Sequence, residues 1–385
     1  MLTTTTEPKF SAEYLRRELA GLGIKKPGKF VFLIILSILS VSFTCHVAAD
    51  IEYAGQDLLF RGPRIFSWLK IFLPQSKTDP EDKQLHPELN LFASGKESID
   101  ATAVRQNGVY DCRFLAALAS YAASDRGKDA IYNMIQTNKD GSYSVTFPSA
   151  PLSPVVVAPL SGLELKIYSR AVGPDGFSAG IWVPIIEKAY GSYLDQHQSL
   201  DEKFFHTIRH GVMDGRWTSS PELPGFAASF GAKDERASRI LTGNDMKQLR
   251  TVSMELGDFG LGKGEVTDRQ VKSWFNRKQI VAEYYAEQDA ALTEAFKHHR
   301  IVIAITGIQE NAEANGLMEH HAYAVVGYDS SSKKLLIRDV LNRSCFIQPG
   351  KAYKFQESDL SKPFWISIAD FNNCFSGLGI ENNSN

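Results

Sequence analysis

Apolar residues occupy most of the circumference of residues 114–123, Phe-Leu-Ala-Ala-Leu-Ala-Ser-Tyr-Ala-Ala, which predicts a buried helix with Asp111 at or near its N-cap. The segment around Glu187 predicts another helix. Further along the pattern changes. Residues 300–306, Arg-Ile-Val-Ile-Ala-Ile-Thr, predict a strand, residues 321–328 predict a second, and residues 334–339 a third that ends on the carboxylate of Asp339. Between the two regions, Pro148, Pro151, Pro154 and Pro159 punctuate residues 125–162, which read as loops and short strands. No internal repeat is present.

The N-terminal pattern is of another kind. A polar leader, residues 1–29, carries Arg16, Arg17, Lys25, Lys26 and Lys29 ahead of an apolar stretch, and Val47, Ala48 and Ala49 precede Asp50. A basic region, an apolar core and small residues predict a secretory signal at residues 30–49, or an anchor just long enough to span a bilayer. The basic flank then stays inside, so the expected location is secreted or membrane-anchored, with the remainder of the chain on the extracytoplasmic side. Residues 58–73 are apolar with interspersed basic residues and fit a membrane surface, a pro-segment or a packed segment. Residues 75–97 are polar and read as a linker, making residues 50–97 a linker or pro-segment and placing the start of the domain near Ser98.

Composition adds limits. The chain has 385 residues, 43% of them hydrophobic, enough for two subdomains. A net charge of -2 and the lack of a basic stripe interleaved with aromatics give no reason to expect nucleic acid as partner.

The candidate chemistry is that of a thiol hydrolase. Cys112 falls in the first turn of the predicted helix, where unpaired amide N–H groups and the positive end of the dipole favour thiolate over thiol. Gln106, six residues earlier, can donate its side-chain amide to an oxyanion that the Cys112 backbone N–H also faces. His321 opens one predicted strand and Asp339 closes the next, so an adjacent pair brings imidazole and carboxylate within hydrogen-bond reach. Nucleophile, base, orienter and oxyanion donor are the minimum set for acyl transfer through a thioester. Each residue has a plainer reading alone: a buried small hydrophobe for Cys112, a satisfied strand-end histidine for His321, a turn residue for Asp339.

Together these residues resemble the calpain-type cysteine proteases, a branch of the papain-like group. Gln106, Asp111-Cys112 and Phe114-Leu115-Ala116-Ala117 look like that family's active-site block. Residues 181–193, with Trp182, Glu187, Lys188, Ala189 and Tyr190, look like its Trp-x-x-x-Leu-Glu-Lys-Ala-Tyr block. Ile240-Leu241-Thr242-Gly243 is similar to its Leu-Leu-Thr-Gly, His321-Ala322-Tyr323 to its His-Ala-Tyr, and Leu336-Ile337-Arg338 to the approach to its third catalytic residue. The blocks keep family order and cover most of residues 100–345. There are departures: Tyr110 stands where the family has glycine, Arg113 where it has tryptophan, and Asp339-Val-Leu-Asn342 where it has Asn-Pro-Trp. Either Asp339 or Asn342 can take the third role, and Asp339 is favoured because it follows Ile-Arg directly. A carboxylate accepts from the imidazole N–H as a carboxamide does. Arg113 can depress the thiol pKa, meet an acidic substrate or pair on a helix face.

The resemblance implies an α+β, papain-like fold: a mainly helical subdomain with Cys112 over residues 98–210, a mainly antiparallel β subdomain with His321 over residues 211–372, a cleft between them, and a C-terminal tail over residues 373–385. It implies a cysteine endopeptidase acting on protein or peptide substrates. Residues 216–289 hold no secure block beyond Leu-Thr-Gly and read as inserted loops. Alternatives are an inactive papain-fold module that binds proteins, or another thiol acyl-transfer enzyme such as an isopeptidase or transamidase. No cofactor or metal is expected. Many calpain relatives use calcium, but no calcium loop is recognisable here. His206 and His210 lack the glutamate and third ligand of a zinc site, and residues 257–264 lack the Gly-Lys-Ser/Thr end of a phosphate loop. Asn342-Arg-Ser344 and Asn382-Asn-Ser384 match glycosylation acceptors. Of the four cysteines, Cys45 falls in the signal region, leaving Cys345 and Cys374 as a candidate bridge.

Overall fold

The computed structural model describes residues 80–109, 111–173, 178–197, 234–255, 268–307, 310–347 and 362–382. The leader, the signal or anchor at residues 30–49, the apolar-basic segment 58–73, Tyr110, His206, His210 and residues 257–264 lie outside them. Among the described residues no helix is long and apolar enough to cross a membrane.

Helix α1 (Cys112–Ala122) forms where the apolar run places it, and every residue from Phe114 to Ala122 is buried. Helix α2 (Asp125–Met134) follows at once, where loops are expected from the sequence. The Ser124 hydroxyl caps it by accepting from the Gly127 N–H at 3.1 Å. Gly127 itself lies against α1: a Cβ there would come within 1.8 Å of the Tyr121 carbonyl oxygen. Strands β1 (Ile135–Thr137), β2 (Tyr143–Val145) and β3 (Val155–Val157) form an antiparallel three-stranded sheet. Helix α3 (Gly162–Ile167) starts on a capping box between Ser161 and Glu164. Helix α4 (Trp182–His197) is apolar nearly all round and buries Trp182, Ile185, Ile186 and Tyr190. Its Tyr190 ring stacks on Phe114 of α1 with centroids 3.7 Å apart.

The second half is built on one antiparallel sheet. After α5 (Asp234–Thr242) come β4 (Met246–Arg250), the long helix α6 (Asp268–Lys297), β5 (Val302–Ile305), β6 (Ala322–Asp329), β7 (Lys334–Arg338), β8 (Phe364–Ser367), α7 (Ile368–Cys374) and β9 (Gly377–Glu381). The six strands run in the order β8-β7-β6-β5-β9-β4, and every neighbouring pair is antiparallel. Both faces are covered, as the alternation of strand side chains requires. Ile301, Ile303, Ala322 and Ala324 join the cluster around α1 and α4, whereas Val302, Ala304, Tyr323 and Val325 join one containing Phe371 and Phe375. The alanines on the first face let α1 approach closely. The Ser120 hydroxyl then joins helix to sheet, donating to the Val325 carbonyl at 3.0 Å and accepting from the Val302 N–H at 2.9 Å.

Three expectations change. Residues 80–97 do not behave as a linker. Leu89, Leu91 and Phe92 pack on the first core, and Ile181 N–H donates to the carbonyls of Asn90 at 3.1 Å and Leu91 at 3.0 Å. Within the segment expected as a tail, residues 373–385, the described residues up to Asn382 are part of the fold: β9 lies between β5 and β4, with Leu378 and Ile380 buried. Its glycines hid it. A Cβ at Gly379 would stand 2.3 Å from the Met246 sulfur, so the close packing of the strand requires the residue that weakens its sequence signal. Finally, Cys345 and Cys374 are buried thiols and not a disulfide.

Candidate active site

Cys112 is the first residue of α1 and is partly exposed. His321 immediately precedes β6 and is buried, and Asp339 immediately follows β7 and is also buried. The β6–β7 register sets Arg338 opposite Ala324, so the residues just beyond the paired ends come together. Asp339 Oδ1 stands 2.9 Å from His321 Nε2. The Cys112 thiol lies close enough to the imidazole and to the Ala322 backbone N–H for both to lower its pKa. With Nε2 committed to Asp339, Nδ1 is the ring nitrogen left to face sulfur.

Each member is held from outside. His321 N–H donates to Thr306 Oγ1 at 3.0 Å, and Thr306 N–H returns a bond to the His321 carbonyl at 3.0 Å. Tyr323 meets the imidazole edge-on, centroids 4.8 Å apart, and its hydroxyl is fixed by Ser344 at 2.9 Å and the Met318 N–H at 2.8 Å. Asp339 takes the Leu341 N–H on Oδ1 and the Arg343 N–H on Oδ2, each at 2.8 Å. Arg338, fully buried, donates to the Asp339 carbonyl, to Asn342 Oδ1 and, at 3.2 Å, to the Thr102 carbonyl. The Asn342 amide is thus engaged by Arg338, and it is Asp339 that meets the imidazole. Nothing in the sequence singled out Thr306, Tyr323 or Arg338 in these supporting roles, because their bonds depend on how the chain turns around β6 and β7 and, for Arg338, on the distant Thr102 carbonyl.

The electrostatics follow from these contacts. Burial alone would raise the Cys112 thiol, but the His321 hydrogen bond and charge, the Ala322 N–H and the Arg113 charge together bring it below its ordinary value. Burial would likewise lower His321, yet the bonds to Asp339 and Cys112 push it up to about 9. Asp339 is buried, which by itself raises a carboxyl, and its bond to His321 with the Arg343 and Leu341 N–H groups holds it below the usual range. All three shifts favour a thiolate, an imidazolium and a carboxylate at neutral pH.

Gln106 is tied into the same region. Its backbone N–H donates to the Val340 carbonyl at 2.8 Å, next to Asp339, and its Nε2 donates to the Val109 carbonyl at 2.6 Å, three residues before Cys112. One of the two amide hydrogens expected to face an oxyanion is therefore spent on the loop, and one remains. Asp111 departs further from expectation. It occupies the N-cap position, but its carboxyl makes no capping bond; it is buried, and burial together with the charge of Glu187 on α4 raises its pKa well above the usual range. Glu187 accepts from the Ser169 N–H at 2.6 Å, and burial raises its pKa to about 8. The neighbouring Lys188 is paired with Glu164 at 2.8 Å, both buried. Adjacent acid and base within the apolar first half of the helix were the available signal that this segment holds buried partners.

Comparison with family models and with curated proteins finds no match. The cysteine, histidine and aspartate are thus described by their geometry. A cavity of about 280 Å³ between β4 and α6, lined by Arg250, Tyr284 and Gln288 among others, includes none of them. Among the described residues, no three His, Cys, Asp or Glu side chains are grouped to hold a metal ion.

Proposed function

We propose that the chain is a papain-like, calpain-type cysteine endopeptidase, secreted or membrane-anchored, in which Cys112 attacks a peptide carbonyl. The observation that carries this reading is the 2.9 Å bond between the buried His321 Nε2 and Asp339 Oδ1, with the Cys112 thiol near enough for the imidazole to lower its pKa. In this scheme the thiolate adds to the carbonyl carbon, His321 as imidazolium protonates the leaving amine, and the resulting thioester is hydrolysed by water that His321 deprotonates. Asp339 keeps the ring oriented and its charge favourable. The Cys112 backbone N–H and the second amide hydrogen of Gln106 stabilise the oxyanion. A separate reading, a protein-binding module without activity, draws on the Gln106 bond to Val109.

Alkylation by iodoacetamide, read by mass spectrometry at Cys112, separates the two. Rapid labelling below neutral pH, slowed in His321→Ala, together with cleavage of an unfolded protein that Cys112→Ser abolishes, is the expected result. Labelling at the rate of an ordinary thiol, unaltered by His321→Ala, would overturn the enzyme. Labelling as expected with acyl transfer to amines but no peptide cleavage would point to a transamidase.

A further inference from the structure

The loop that leads from Gln106 into α1 is fastened to the end of α3. Asn107 Nδ2 donates to the Lys166 carbonyl at 2.7 Å and to the Tyr168 carbonyl at 3.3 Å, and the Gly108 N–H donates to the Ile167 carbonyl between them at 2.9 Å. Two consecutive loop residues thus serve three consecutive carbonyls. The last carbonyls of a helix lie beyond the reach of its own N–H groups, so donors from another segment complete the helix end. Gly108 allows the close approach, since a Cβ there would stand 3.1 Å from the Ile167 oxygen. Helix α3 is in turn held by α4. Lys188 pairs with Glu164 in its first turn at 2.8 Å, and Glu187 Oε2 takes the N–H of Ser169, just past its end, at 2.6 Å. The adjacent Glu187 and Lys188 therefore fix both ends of α3, and the end of α3 fixes the loop.

We infer that Asn107 is a positioning residue for Gln106, the oxyanion donor. The inference rests on the proposed function, which gives Gln106 that role. Gln106 spends one amide hydrogen on the Val109 carbonyl at 2.6 Å and its backbone N–H on the Val340 carbonyl at 2.8 Å. The direction of the remaining amide hydrogen follows the path of the loop between those two bonds, and the Asn107 amide anchors that path to α3. Asn107 is exposed, so its contribution is these two bonds and not burial in a core.

The test uses the full chain and compares two reactions of Cys112. Acylation by p-nitrophenyl acetate forms an S–acetyl bond, expels p-nitrophenolate and develops an oxyanion on the way. Alkylation by iodoacetamide forms an S–carbon bond, expels iodide and develops none. Asn107→Ala should slow the release of p-nitrophenolate about tenfold, in kcat rather than KM, with iodoacetamide labelling of Cys112 within about twofold of wild type. Asn107→Asp, which keeps the shape but turns acceptors towards the carbonyls, should be slowed as far. Added to Gln106→Ala, Asn107→Ala should cost nothing more, because it acts through Gln106. Release unchanged in both Asn107 variants overturns the inference. A parallel loss in both reactions also overturns it, since the loop would then support α1 as a whole, and so does a full further loss on top of Gln106→Ala. A wild type that releases p-nitrophenolate no faster than Cys112→Ser defeats the thiol enzyme and the positioning role together, an outcome read from the wild type before any Asn107 variant is made.

Discussion

At the scale of single residues, the consequence of the His321–Asp339 bond is a window of pH. The raised imidazole pKa means His321 stays protonated below about 9, and the lowered thiol pKa means Cys112 is already thiolate beneath its ordinary value. Reactivity should therefore rise through the thiol pKa and, for a step that needs imidazolium, fall as pH passes about 9. Asp339→Asn removes the charge and keeps an acceptor for Nε2. It should move the falling limb to lower pH and reduce turnover about tenfold or more, as loss of an orienting carboxylate does in comparable triads. A falling limb unmoved in pH–rate profiles of this variant would show that Asp339 does not set the histidine pKa. Cys112, His321 and Asp339 were legible in the sequence because each terminates or begins a strongly patterned element. The burial of the Asp111 and Glu187 carboxyls was not, because nothing along the chain shows what packs over them.

At the scale of elements, the geometry of the candidate site depends on how α1 sits against β5 and β6. The apolar run made the helix legible and short β-rich segments made the strands so, but their relative placement comes from the Ser120 hydroxyl and the alanine surface of β6. Ser120→Ala leaves the Val302 N–H buried without that acceptor. The cost should be about 1–3 kcal/mol in urea unfolding, with slower labelling of Cys112 as the helix loses its register on the sheet. A change below about 0.5 kcal/mol would show that packing alone sets the helix. Helix α2 escaped prediction because Asp125, Arg126, Gly127 and Lys128 make a polar first turn. Its capping by Ser124 and the burial of Ile131 and Met134 against neighbouring elements outweigh a sequence that includes a helix-weakening glycine.

At the scale of the whole molecule, the last described strand closes the structure. Glu381 on β9 is buried and accepts from the Ile301 N–H at 2.9 Å, Arg126 at 3.1 Å and Asn244 at 2.7 Å. It thereby joins α2, the start of β5 and the turn before β4. A chain ending at Phe375 should lose cooperative urea unfolding, because β4 loses its sheet partner and the Ile301 N–H its acceptor. Cooperative unfolding at the wild-type midpoint would show that β9 is dispensable. By itself the sequence determined which segments are helix or strand wherever apolar periodicity was strong, and which residue types carry the candidate chemistry, since both are local properties of side chains. Tertiary structure alone decided that Asp339, not Asn342, meets the imidazole, that residues 80–97 and 377–381 belong to the folded unit, and that the Asp111 and Glu187 carboxyls are buried. These depend on distant segments, and a glycine-rich central strand or a buried carboxyl acquires its meaning only from what packs against it.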